Sequence, residues 1–131
     1  MARILVIDDS ASTLELVHKI LTGAGHKVIT TDCGKRGETI LADQSFDLVI
    51  TDLYMPERDG LEVLRDVRRV HPGLDVIAMS SASGKYDMLL VAKALGAAAT
   101  LRKPFNTTEL LDVVNASLKR SESHSPAVTV G

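Results

Sequence analysis

The sequence predicts an α/β fold in which helices cover both faces of a doubly wound, five-stranded parallel sheet. Five short apolar runs recur along the 131 residues, and continuous apolar character is typical of strands that are buried on both faces. Segments with helical spacing separate these runs. Strict alternation of strand and helix produces a parallel sheet with right-handed crossovers. The length and the 45% apolar composition fit one domain with its own core.

The strands are expected at the five apolar runs, which occupy residues 4–7, 28–31, 48–51, 76–79 and 97–101. The first helix should follow Asp9 with one buried stripe, formed by Leu14, Val17, Leu21 and Ala24. The second should span about residues 35–43, where Ile40 and Leu41 are its apolar anchors.

The third helix should end before Pro72 and bury Val63, Leu64, Val67 and Val70. The fourth, about residues 86–95, should end at Gly96 and keep some apolar surface exposed, for which Leu89 and Leu90 are the candidates. The fifth should begin at Asn106, with Glu109 completing a capping box. We therefore predict a domain over residues 1–120 and a flexible tail over residues 121–131.

The net charge, the length of the apolar runs and the cysteine content exclude several classes of protein. The formal net charge of -2 gives no strongly basic surface, so neither nucleic acid nor an anionic membrane is an expected partner. No apolar run approaches the ~20 residues of a membrane-spanning helix. Cys33 is the only cysteine, which excludes an internal disulfide and favours a reducing compartment, the cytoplasm.

Chemically active side chains follow the predicted strands. Asp8 and Asp9 come after the first strand, Asp52 after the third, Ser81 after the fourth and Lys103 after the fifth. The carboxyl ends of parallel strands share one edge of the sheet, so these residues should converge there. Each residue taken alone has a simpler explanation as a helix cap, a turn residue or a surface charge.

Three carboxylates at one edge repel one another unless a cation lies among them, and Mg²⁺ prefers such oxygen ligands. Lys103 and the Ser81 hydroxyl could then contact the oxygens of a phosphoryl group. A carboxylate is a competent nucleophile for phosphoryl transfer. Asp52, at the end of the middle strand, is the best-placed acceptor.

These motifs together resemble the receiver domains of two-component response regulators, of the stand-alone chemotaxis type. The similarity covers about residues 2–120. It rests on four motifs in order: Ile-Asp-Asp-Ser at 7–10, the run from Asp to Met-Pro at 47–56 with Asp-Gly at 59–60, Ser-Ala at 81–82, and Lys-Pro-Phe at 103–105. The resemblance implies a flavodoxin-like fold with strand order 2-1-3-4-5.

The resemblance also implies roles for single residues. Asp52 would be the phosphoacceptor, and Asp8, Asp9, Asp52 and the backbone carbonyl of Tyr54 would hold Mg²⁺. Lys103 would contact the phosphate, through a turn with a cis peptide bond before Pro104. Asp59 and Gly60 fit turn chemistry before the third helix.

Ser81 would be the switch hydroxyl. Thr100 stands where many relatives carry an aromatic switch residue, so this chain departs from the family pattern there. Tyr54 and Ser83 occupy the positions that set the phosphoryl lifetime in the family. Neither is suited to orient water, which predicts slow self-hydrolysis.

The resemblance implies a regulatory phosphoacceptor rather than an enzyme with an external substrate. A histidine kinase or a phosphotransfer protein would donate the phosphoryl group, docking near Leu14 and Phe105. The signal would leave through the face of helix 4, strand 5 and helix 5, to a target protein or a second copy of the chain.

Three other interpretations remain open from the residues. A flavodoxin-type electron carrier could use the hydroxyls of Ser10, Ser12 and Thr13 to bind phosphate, although the chain has no Trp and few aromatic residues to sandwich a flavin. A Mg²⁺-dependent aspartyl phosphatase would need an acid at the position of Tyr54. A degenerate receiver would bind a partner without being phosphorylated.

Overall fold

A computed structural model describes residues 1–55, 60–81 and 88–123, with side chains described to residue 120. Five strands and five helices alternate along these residues. They are β1 (Arg3–Ile7), α1 (Ala11–Gly23), β2 (Lys27–Thr31), α2 (Gly34–Asp43), β3 (Leu48–Asp52), α3 (Gly60–Val70), β4 (Asp75–Ser80), α4 (Met88–Ala94), β5 (Ala99–Arg102) and α5 (Thr107–Ser123).

The strands form one parallel sheet in the order β2-β1-β3-β4-β5, which confirms the predicted topology. The three central strands are almost entirely buried, as continuous apolar runs predict. The edge strands β2 and β5 are only partly buried, because each has a neighbouring strand on one side only.

Alternate residues of each strand supply two separate cores, one on each face of the sheet. In β1, Leu5 and Ile7 pack on the side of α2, α3 and α4. Ile4 and Val6 pack on the side of α1 and α5, with partners that include Leu110. The sheet is therefore covered on both faces, the arrangement that makes it doubly wound.

Three side chains differ from their predicted burial. Ala24 is exposed because α1 ends at Gly23 and Ala24 is its C-cap. Val70 is 60% exposed, since it is the last residue of α3 and lies one turn beyond the point where Val67 meets the core. Leu89 is only 7% exposed and belongs to the core, whereas Leu90 beside it is 69% exposed.

The predicted ends of the elements hold to within a few residues. Strand β5 begins two residues later than expected, because the Ala97 N–H still donates to the Ala92 carbonyl and closes α4. Gly96 has φ +105°, as expected of the glycine that ends α4. The predicted start of α4 at residue 86 lies outside the described residues.

Helix α5 begins with the predicted capping box, in which the Glu109 N–H donates to Asn106 Oδ1 at 2.8 Å. In return, the Asn106 N–H donates to Glu109 Oε1 at 3.1 Å. The helix continues to Ser123, three residues into the predicted tail; residues 124–131 lie outside the described part. Among the described helices, none combines the length and the apolar character needed to cross a membrane.

Candidate functional site

The carboxyl ends of β1, β3 and β5 bring charged side chains to one edge of the sheet. Asp8 and Asp9 directly follow β1, Asp52 is the last residue of β3, and Lys103 directly follows β5. Carboxylate oxygens of Asp8, Asp9 and Asp52 all lie within 4.8 Å of one another. The structure therefore assembles the predicted acidic cluster from residues 44 positions apart in the chain.

The three carboxylates differ in exposure. Asp8 is fully buried, Asp52 is 5% exposed and Asp9 is exposed. Buried carboxylates need compensating charge or hydrogen bonds, because removing an ion from water is costly. The contacts of Asp8 and Asp52 therefore show which groups compensate their buried negative charges.

Asp8 has both carboxylate oxygens engaged. Its Oδ1 accepts a hydrogen bond from the Ser10 N–H at 2.8 Å, and its Oδ2 lies 2.6 Å from Lys103 Nζ. Ser10 is also the N-cap of α1, where its Oγ accepts from the Thr13 N–H at 3.3 Å. The start of α1 and the end of β1 thus hold Asp8 in one orientation.

Lys103 is directed into the cluster. Its Nζ lies 3.7 Å from Asp52 Oδ1, farther than from Asp8. The Lys103 N–H donates to the Ser80 carbonyl at 2.9 Å, which ties it to the end of β4. The Lys103–Pro104 peptide bond is cis, as predicted.

The environment raises the pKa of Asp52 to about 6. Burial is the main cause, and the negative charge of Asp8 adds to it. Lys103 and a hydrogen bond from the backbone of Tyr54 oppose the rise, while Asp9 contributes a smaller increase. Asp52 is therefore mostly ionised at neutral pH, but its negative charge is less stabilised than that of an ordinary aspartate.

The backbone around Asp52 is held from several directions. The Leu53 N–H donates to the Met79 carbonyl at 3.0 Å, and the buried Thr51 hydroxyl donates to the Asp52 carbonyl at 3.0 Å. Gly60, at the start of α3, donates its N–H to the Leu53 carbonyl at 3.2 Å. The sequence predicted only a turn role for Gly60, because the contact of α3 with the end of β3 is tertiary.

The other predicted site residues lie at or near this edge. Ser81 directly follows β4 and is exposed, and Tyr54, two residues after Asp52, is 48% exposed. Thr100 is partly buried in β5, opposite Ala78 of β4. Ser83 and Asp59 lie outside the described residues.

The cluster fits a hard divalent cation. Its potential ligands are carboxylate oxygens, which Mg²⁺ prefers over nitrogen or sulfur. Three carboxylates face one ammonium group, so a cation would remove the excess negative charge. Asp9, which is exposed, leaves the cluster accessible from solvent.

Comparison with known proteins gives one consistent family. Residues 4–115 match the model of the response regulator receiver domain. The cell cycle transcriptional regulator CtrA of Caulobacter vibrioides is 30% identical over 126 residues, covering 96% of this chain and 54% of that protein. The chain spans about half or less of the length of the curated relatives that it matches, many of which are transcriptional regulators.

Solved structures agree with this match. A response regulator receiver domain protein from Clostridium thermocellum has a TM-score of 0.89 and 31% identity, and the alignment covers 95% of this chain and 100% of that one. The response regulator protein TrrA from Thermotoga maritima, solved in complex with Mg²⁺ and BeF, has a TM-score of 0.80 and 31% identity, with 89% and 99% covered. The family model matches most of the chain, so this chain belongs to the response regulator receiver domain family.

Proposed function

We propose that the chain accepts a phosphoryl group on Asp52 from a phosphohistidine of a histidine kinase or phosphotransfer protein. Receiver domains are regulatory domains that interact with such proteins. The observation that carries the proposal is the position of Asp52: its carboxylate lies beside Asp8 and Asp9 and 3.7 Å from Lys103 Nζ.

The contacts of the three carboxylates favour Asp52 as the acceptor. Both oxygens of Asp8 are already engaged, by the Ser10 N–H and by Lys103. Asp9 is exposed, so its side chain is less constrained by neighbouring residues than the buried side chains of Asp8 and Asp52. Asp52 is buried and has a raised pKa, and a carboxylate with a higher pKa is the stronger nucleophile.

In the proposed reaction a carboxylate oxygen of Asp52 attacks phosphorus and forms the acyl phosphate. The bond from phosphorus to the donor imidazole nitrogen breaks, and that nitrogen keeps the electron pair and takes up a proton. Lys103 would stabilise the negative charge on the transferred group. Mg²⁺ held by Asp8, Asp9, Asp52 and the Tyr54 carbonyl would neutralise charge on the phosphoryl oxygens.

The signal would leave through the face formed by α4, β5 and α5. On α4, Leu90 and Val91 are 69% and 40% exposed, and Leu95, which directly follows the helix, is 39% exposed. Exposed apolar residues grouped on and beside one helix favour binding of a target protein or a second copy of the chain. Ser81 would couple the site to this face, and Thr100, smaller than an aromatic residue, would take part through β5.

The test is incubation with Mg²⁺ and acetyl phosphate, followed by intact-mass measurement. The wild-type protein should gain one phosphate, Asp52→Asn none, and the control Asp112→Asn, altered at an exposed position on α5, should behave as wild type. A phosphate adduct on Asp52→Asn equal to that on wild type would overturn the proposal. Absence of any adduct on the wild-type protein would favour a receiver that only binds partners.

A further inference from the structure

The first residue of α3 packs against the backbone of the phosphoacceptor strand. A Cβ atom added to Gly60 would lie 2.2 Å from the Asp52 carbonyl oxygen and 2.6 Å from the Leu53 Cα. Both are backbone atoms, so no side-chain rotation could relieve the contact. Among the described glycines, Gly25 and Gly96 have a positive φ, and Gly60 does not. Close approach, not backbone conformation, is therefore the reason that this position requires glycine.

The end of β3 cannot simply move away from α3. On the side of β4, the Leu53 N–H donates to the Met79 carbonyl at 3.0 Å. The Thr51 hydroxyl donates at 3.0 Å to the same Asp52 carbonyl that Gly60 approaches. Leu53 is 1% exposed, so its side chain is also fixed. The peptide between Asp52 and Leu53 is thus held between β4 and α3.

We propose that Gly60 is a positioning residue for Asp52: the missing side chain lets α3 hold the Asp52 backbone where its carboxylate meets Asp8, Asp9 and Lys103. The inference rests on the proposed function, because it assumes that this cluster binds Mg²⁺. A methyl group at residue 60 reaches ordinary contact only if atoms move by about 1 Å. Metal–ligand distances normally stay within about 0.2 Å of their preferred values, so such a shift disturbs the cluster.

The test compares Mg²⁺ affinity, measured by isothermal titration calorimetry, for wild type, Gly60→Ala and Val67→Ala. Val67 is buried in the same helix, two turns away, so Val67→Ala loosens the packing of α3 without adding atoms beside Asp52. Gly60→Ala should bind Mg²⁺ at least about tenfold more weakly, the effect typical of residues that orient metal ligands. Val67→Ala should stay close to wild type, and circular dichroism would verify that both variants are folded.

A second measurement needs no variant and covers the case in which Gly60→Ala does not fold. The Gly60 amide resonance of the ¹⁵N-labelled wild-type protein should shift with the same Mg²⁺ dependence as the Asp52 amide. The Gly73 amide should not shift, since Gly73 precedes β4 at the opposite edge of the sheet and a Cβ there would meet nothing within 4 Å.

Equal Mg²⁺ affinity of Gly60→Ala and wild type would overturn the inference. Equal weakening in Gly60→Ala and Val67→Ala would also overturn it, because the effect would then reflect general loosening of α3. The inference would likewise be overturned if the Gly60 amide resonance did not shift on addition of Mg²⁺. If wild type binds Mg²⁺ but gains no phosphate, the proposed function fails, whereas the affinities still decide the role of Gly60.

Discussion

At the scale of single residues, the proposed chemistry would depend on a carboxylate that lies in an unfavourable environment. Asp52 is buried beside Asp8 and opposite a lysine that lies closer to Asp8 than to Asp52. Burial is the main cause of its raised pKa, and the negative charge of Asp8 adds to the rise, which Lys103 only partly offsets. This predicts measurable effects on both stability and phosphoryl chemistry.

The first prediction concerns the pH dependence of stability in metal-free protein. The folded-state pKa of Asp52, about 6, exceeds its ordinary value of 3.8, so the folded state binds more protons between these pH values. The free energy of unfolding of wild type, relative to Asp52→Asn, should therefore fall as pH rises from 4 to 6 and then level off. At pH 7.5 the variant should be more stable by about 3 kcal/mol.

Urea unfolding with a chelator present, at several pH values, measures this difference. Asp47→Asn, altered at a carboxylate that accepts from the Arg3 N–H at the other end of the sheet, serves as a control. A relative stability of wild type that increases between pH 4 and 6 would contradict the assignment of the raised pKa.

The second prediction concerns the lifetime of the acyl phosphate. Tyr54 is half-exposed two residues after Asp52, and its ring cannot act as an amide or carboxylate would in orienting water. Tyr54→Asn should therefore speed decay of the adduct, by about tenfold for one added orienting group. Intact-mass measurement after removal of the donor gives the rate. Tyr54→Phe should decay as slowly as wild type, and equal rates for all three proteins would reject the idea.

At the scale of elements, the ends of the helices follow local rules. Helix α5 begins with a complete capping box, and α1 ends in a turn through Gly25 with φ +95°. Such features depend on residues a few positions apart and can be tested without disturbing the site.

The capping box predicts that Asn106→Ala lowers the free energy of unfolding by about 1 kcal/mol, because the Glu109 N–H loses its acceptor, Asn106 Oδ1. The control is Asn115→Ala at an exposed position within α5, where alanine should be neutral or slightly stabilising. Urea denaturation of both variants checks the sign. A loss at residue 115 equal to that at residue 106 would mean that the cap contributes nothing particular.

The end of α1 offers a pair of glycines with opposite expectations. A Cβ at Gly23 or at Gly25 would meet nothing within 4 Å, and only Gly25 has a positive φ. Gly23→Ala should therefore stabilise the protein by about 0.5–1 kcal/mol, as alanine favours the helix. Gly25→Ala should destabilise it by about 1–2 kcal/mol through backbone strain. Thermal or urea unfolding measures the stability of each variant relative to wild type. Changes of the same sign in Gly23→Ala and Gly25→Ala would contradict this prediction.

At the scale of the whole molecule, the sheet concentrates negative charge at one edge although the net charge of the chain is only -2. Mg²⁺ should therefore raise the melting temperature of wild type. At a free Mg²⁺ concentration a hundred times the dissociation constant, the free energy of unfolding should increase by about 2.7 kcal/mol. The effect should be much smaller in Asp52→Asn, which loses one carboxylate. Differential scanning calorimetry with Mg²⁺ and with the same ionic strength of NaCl separates binding from screening. Equal shifts by both salts would argue against a specific site.

The fold class, the five strands, the capping box and the placement of Asp8, Asp9, Asp52 and Lys103 at strand ends could all be predicted from the sequence. These follow from local apolar periodicity and from the rule that parallel strands end at one edge. Other features became visible only in the folded protein: the burial of Leu89, the exposure of Val70, the pairing of Lys103 with Asp8, the raised pKa of Asp52 and the contact of Gly60 with β3. Each of these depends on distances between elements that are far apart in the chain, and apolar periodicity does not contain those distances.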